Sequence, residues 1–290
     1  MTAVAERDSL PGQPSAPGNW VSWAGIWFLI AGFVAAQIAG LLTSLPAIVA
    51  ENPSLRALLS EGGSVADVLQ TENFAVGPPT LLAGLLGQWA VLLLWARMWA
   101  RRGKSARQIV KTADLRSPAP QPIPCDQWMA RLGLVRPTRR HVLVGVGLGI
   151  VVMLVGNGLQ IAFSAAELKT SGFDATLLLN DGGLFGFALL LAIALGAPVV
   201  EEIFFRGALA GAFARRFGTG VAIAASAVLF GAAHLSGMGA GNIINAAIIT
   251  GLGVVLAVAR FRTGTLTVSI VAHAVVNTTA VLVFQLFGTS

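Results

Sequence analysis

Seven apolar stretches separated by short polar segments set the pattern of this chain. They run from about Trp20 to Thr43, Pro78 to Ala100, His141 to Phe163, Leu184 toward Arg216, Gly220 to Ser236, Asn242 to Ala259 and Leu266 to Phe287. A helix rises about 1.5 Å per residue, and a bilayer core is about 30 Å thick, so roughly 20 apolar residues cross it. Only structures that satisfy every backbone polar group internally can do so, and helices are the local solution. The pattern predicts an all-α fold, a polytopic transmembrane helical bundle of about seven spans. Trp20, Trp23 and Trp27 open the first span as an interfacial belt would. Between spans one and two, the portion beginning Leu55-Arg56-Ala57 suits a short surface helix. In the next loop, the run PAPQPIP forbids a continuous helix.

Composition supports the membrane reading. Of 290 residues, 55% are hydrophobic and 11% charged, whereas a soluble domain carries about 25% charged residues. The net charge of +6 does not point to nucleic acid, because 11 of the 19 Lys and Arg fall between Arg97 and Arg140. Basic residues crowded beside spans mark the cytoplasmic side. The stretch 51–77 holds four acids against one arginine and reads as an outside loop. Residues 1–19 read as a disordered tail without a cleavable signal. The N-terminus and the loop 101–140 are expected to be cytoplasmic, with the lipid bilayer as the first partner. The single cysteine, Cys125, can form no intrachain disulfide.

Against this background a few polar groups stand out. Glu201 and Glu202 are the only acids beyond Gly182, and they lie within an apolar span together with Arg206. Ionisable residues inside a span are expensive and usually functional. His234 and His273 also lie in apolar segments. Counted from Arg215, Glu201 is 14 residues in, roughly 21 Å; from Gly218, His234 is roughly 24 Å in; from Arg262, His273 is roughly 17 Å in. Three helices thus carry polar groups to a similar depth. Glu202 and Arg206 are spaced i, i+4 and can pair, leaving Glu201 about 100° round the helix and free to face the histidines. Phe230 with His234, and His273 with Asn277, repeat the same spacing.

These residues also resemble a known pattern. EEIFFR (Glu201, Glu202, Arg206), FGAAH (Phe230 to His234) and HAVVN (His273 to Asn277) are similar, in order, to the EExxxR, FxxxH and HxxxN/D motifs of the CPBP family. That family comprises type II CAAX prenyl endopeptidases and bacteriocin-processing or immunity (Abi-like) proteases. The resemblance covers roughly Leu184 to Phe287 and implies a catalytic core over 184–290; the tail 1–19 and the N-terminal transmembrane helices over 20–183, with the basic loop 101–140, lie outside it. It also implies an intramembrane endopeptidase acting on a membrane-associated peptide or protein. Glu201 would be the general base and His234 would hold the same water. His273 and Asn277 would stabilise the oxyanion, with Glu202, Arg206 and Phe230 in support. Glu201, His234 and His273 are also candidate ligands for a divalent metal such as zinc, although no HExxH is present. Two other readings stay open: a proton-coupled transporter using the buried Glu, His and Arg as a relay, and a non-catalytic immunity or scaffold protein. The Ala, Gly, Val and Arg bias suggests a bacterial plasma membrane, where peptide maturation or membrane-protein turnover is expected over prenyl processing.

Overall fold

The structure is a computed structural model and describes residues 23–61, 76–102, 127–166, 183–235 and 239–287. The expected tail 1–19, Cys125 and the PAPQPIP run lie outside these residues. Every regular element among the described residues is helical. Helix α1 spans Trp23–Glu51, α2 Pro53–Ser60, α3 Pro78–Arg102, α4 Gln127–Leu132 and α5 Arg139–Ala165. A long helix α6 follows over Gly183–Phe217, then α7 over Thr219–Ala232, α8 over Ala240–Thr263 and α9 over Thr267–Phe287. Helices α1, α3, α5, α6 and α8 are long and apolar enough to cross a membrane; α7 and α9 are shorter apolar helices. Together they supply the seven apolar segments.

Small residues decide how closely these helices meet, as expected where packing, not water, drives association. Gly40 and Gly84 bring α1 and α3 into backbone contact, and the Thr43 hydroxyl donates to the Ala83 carbonyl at 2.9 Å. On α5, Gly145 lies against Val268 and Val271, and Gly149 against Ala272 and Val275. Both sequences advance together, so α5 and α9 run in the same direction, as the third and seventh spans of an alternating bundle must. Gly231 meets Ala246 and Thr250 whereas Gly253 meets Ala227, so α7 and α8 run in opposite directions.

Glu51, at the end of α1, closes the first hairpin. Its carboxylate accepts the Gly77 N–H at 2.7 Å, the Thr80 N–H at 3.3 Å and the Thr80 hydroxyl at 2.8 Å. An acid there supplies acceptors for N–H groups that the first turn of α3 leaves free, and it complements the helix dipole. The expected surface helix is present as α2 over its first residues; the remainder lies outside the described residues. One hydrophobic core joins the two halves of the chain, from Ile26 and Leu29 through Leu92, Trp99 and Leu132 to Val200, Phe204 and Phe230.

Candidate active site

The long helix α6 is not uniformly α-helical. Two wide π stretches, Ala192–Gly196 and Glu202–Leu209, flank a short α-helical piece, Ala197–Glu201. Pro198 explains the first. A proline inside a helix has no N–H to give, and its ring crowds the carbonyl four residues back. The backbone widens just before it, so that Ala197 N–H bonds the Ala192 carbonyl five residues back. Such bulges are rare and gather at functional sites. The depth of roughly 21 Å reckoned for Glu201 assumed an unbroken α-helix, and the widened turns correct that assumption.

The bulge frees a backbone acceptor. Ala197 N–H has gone to Ala192, and the next residue, Pro198, has no N–H. The Ile193 carbonyl instead accepts from Asn277 Nδ2 on α9 at 3.0 Å. Asn277 therefore reaches α6 through a carbonyl that an ordinary helix would have occupied. An amide NH2 has two donors, so one N–H of Asn277 remains for another acceptor.

The second π stretch holds the charges. Arg206 Nη1 donates to Glu202 Oε1 at 2.8 Å, and both side chains are fully buried. The Arg206 guanidinium lies over the Phe230 ring, 4.0 Å from its centroid. Room for it comes from α8, where any Cβ on Gly253 would stand 3.2 Å from Arg206 Nη2. The spacing argument anticipated this pair, but Glu202 does more than hold Arg206. His273 Nδ1 bonds the same Glu202 oxygen at 3.1 Å, and His273 Nε2 stands 3.8 Å from Glu201 Oε2. One histidine thus spans both glutamates. Because Glu202 is the arginine's carboxylate partner, it accepts, and Nδ1 of His273 carries the donated proton.

The two glutamates differ in access. Glu202 is closed off, whereas Glu201 keeps 20% of its side chain exposed. Glu201 Oε2, Glu202 Oε2, Arg206 Nε and Arg206 Nη2 are buried and have no hydrogen-bond partner among the described residues. Orphaned buried polar atoms cost free energy, and in native proteins they concentrate where a ligand, water or reaction uses them.

His234 sits differently from its expected place. Helix α7 ends at Ala232, so His234 lies just past the helix and not within a span reaching Ser236. Its Nδ1 is 2.8 Å from the Phe230 carbonyl, one of the acceptors a helix end leaves unsatisfied. A carbonyl only accepts, so that nitrogen is the protonated one and Nε2 carries a lone pair. His234 is not within ion-pair distance of either glutamate. Phe230 links the two histidines, its ring 4.6 Å from His234 and 5.7 Å from His273, centroid to centroid. Glu201, Glu202, Arg206, Phe230 and His273 are therefore in direct contact, with Asn277 and His234 at the edges.

The described residues do not assemble a metal-ligand set. Among them no group of three His, Cys, Asp or Glu is arranged to hold a metal ion, Glu201, His234 and His273 included. Missed by spacing alone were Pro198, the Ile193 carbonyl and Gly253. Only Pro198 left a signal, as a proline three residues before the double glutamate.

Residues 183–279 match the family model described as Type II CAAX prenyl endopeptidase Rce1-like. This segment is similar to that family. It begins where α6 begins and ends within α9, so it contains all three motifs and the contacts among them; α1 to α5 lie outside it. No curated protein and no solved structure matches the chain. Together with the apolar helices, this similarity supports an integral membrane protein.

Proposed function

We propose that this chain is an intramembrane endopeptidase that cleaves a membrane-associated peptide or protein, with Glu201 as the general base. The observation that carries this reading is the position of Glu201 Oε2. It is buried without a hydrogen-bond partner, 3.8 Å from His273 Nε2, on the only partly exposed carboxylate of the Rce1-like segment. Glu202 cannot serve as readily, being closed off and held by Arg206 and His273.

The chemistry follows from these atoms. A water beside Glu201 gives it a proton as its oxygen bonds to the scissile carbonyl carbon. The lone pair on His234 Nε2 accepts the water's second hydrogen and orients it. Negative charge then develops on the former carbonyl oxygen, which the remaining N–H of Asn277 and the His273 ring stabilise. Preorganised donors of this kind contribute roughly 2.7–4 kcal/mol each to transition-state stabilisation. The proton on Glu201 passes to the departing amine nitrogen as the C–N bond breaks. A bacterial plasma-membrane setting, with the N-terminus and the basic loop inside, belongs to the same proposal.

The decisive comparison is of membrane peptidomes from cells carrying the wild type, Glu201→Gln or His234→Ala. Cleavage products present in the wild type should vanish from both variants while the protein still inserts at normal levels. Unchanged products in both variants would refute the proteolytic reading. Glu201-dependent proton flux in proteoliposomes, with no products, would point to a transporter instead.

A further inference from the structure

The short helix α4 lies outside the Rce1-like segment, at the end of the basic loop, yet it meets the glutamate helix α6, the end of α8 and the start of the histidine helix α9. Its Leu132 is 1% exposed and lies against α6 at Gly207, where any Cβ would stand 3.0 Å from the Leu132 carbonyl oxygen. Gly207 directly follows Arg206 within the π stretch. Gly133 ends α4 at φ +84°, a backbone state that favours glycine. Its amide bonds the Ala130 carbonyl at 3.0 Å, and the next amide, on Leu134, bonds Met129 at 2.9 Å, a cap that turns the chain sharply. That turn aims the Gly133 carbonyl at α9, where it accepts the Leu266 N–H at 2.9 Å.

Leu266 stands seven residues before His273, about 10 Å along α9 at the helical rise. Thr265 fixes the same helix start, its hydroxyl accepting the Thr267 N–H at 3.1 Å. Three further contacts hold α4 from the other sides. Arg131 Nη1 donates to the Ala100 carbonyl at 3.1 Å, the Trp128 ring lies 5.6 Å from the Arg97 guanidinium carbon, and the Arg260 guanidinium covers Gly133.

We propose that Leu132 and Gly133 are positioning residues: α4 is a strut that sets the separation of the glutamate helix α6 from the histidine helix α9. Its side-chain end holds α6 beside Arg206, and its carbonyl end holds the start of α9. The contact between His273 and the two glutamates depends on that separation. A shift of an ångström there moves His273 Nε2 away from Glu201, and misplacements of that size cost about a hundredfold in rate.

The catalytic half of the test rests on the endopeptidase reading; the exchange half does not. In purified protein in lipid, Leu132→Ala should lower kcat at least tenfold and leave KM within twofold, and Leu132→Met should restore kcat. Hydrogen exchange should rise in the first two turns of α9 and around Gly207, with α1 and α3 unchanged. If Leu132→Ala does not fold, Leu132→Val, which removes one methylene, carries the same comparison. Normal kcat, or exchange raised evenly across the bundle, would overturn the strut. Localised exchange in a protein whose wild type cleaves nothing would sustain the strut and reject the protease.

Discussion

Arg206 and Glu202 are both fully buried, so removing either partner strands a charge in an apolar interior. Breaking such a pair from one side costs about 3–5 kcal/mol, whereas replacing both partners is far milder. Arg206→Met should therefore lower the unfolding midpoint in detergent sharply, and Glu202→Gln added to it should recover part of the loss. Equal destabilisation by single and double variants would mean that the pair carries no coupling. The pairing itself was legible in the sequence, because i, i+4 spacing fixes neighbours along one helix. The bridge from His273 to both glutamates was not. Spacing within a helix says nothing about how one helix is rotated against another, and that rotation decides which oxygen a histidine from α9 meets.

At the scale of elements, most apolar stretches were legible to within about four residues, because each must supply a bilayer's thickness of helix; α1 runs on to Glu51, well past the expected Thr43. The interior of α6 was not legible: Ala192–Gly196 is as apolar as the turns before it, and the charges of Glu202–Leu209 fit an α-helix equally well. Pro198 makes the first of them testable. Pro198→Ala restores an N–H and relieves the ring's clash, so α6 can return to regular turns and its amides can reclaim the Ile193 carbonyl. Asn277 then loses its acceptor. Pro198→Ala and Asn277→Ala should each lower cleavage, and the double variant should be little worse than the more severe single one, because both act through one hydrogen bond. Additive losses would separate the two residues. Gly149 tests the other side of α9: a Cβ there would stand 2.7 Å from Val275 Cβ and 2.8 Å from the Ala272 carbonyl. Gly149→Val should destabilise by about 1–3 kcal/mol through overpacking, read from the unfolding midpoint. It should also reduce cleavage, since Ala272 adjoins His273.

Among the described residues, Arg131, Arg215 and Arg260 gather at one end of the molecule. Arg215 lies over Trp99, Arg131 reaches the carbonyl of Ala100, and Arg260 covers Gly133, whose carbonyl holds the start of α9. The contacts that build the strut therefore tie the ends of α3, α6 and α8 to the start of α9 on one side. The Glu51 cap, joining the end of α1 to the start of α3, lies at the far end of α3. Ten basic residues fall between Arg101 and Arg140, and carrying each through a bilayer centre costs about 2.5–3.5 kcal/mol. That charge should keep the arginine end in the cytoplasm. The lone Cys125 lies in the same loop and is a native reporter. A membrane-impermeant maleimide should label it in inverted membrane vesicles and leave it unmodified in right-side-out ones. In a Cys125→Ser background, Glu61→Cys, at the opposite end of the first hairpin, should give the reverse pattern. Labelling of both positions from the same side would mean that α3, the span between them, does not cross the bilayer. Labelling of Cys125 from outside alone would invert the bundle and put the strut at the outer face.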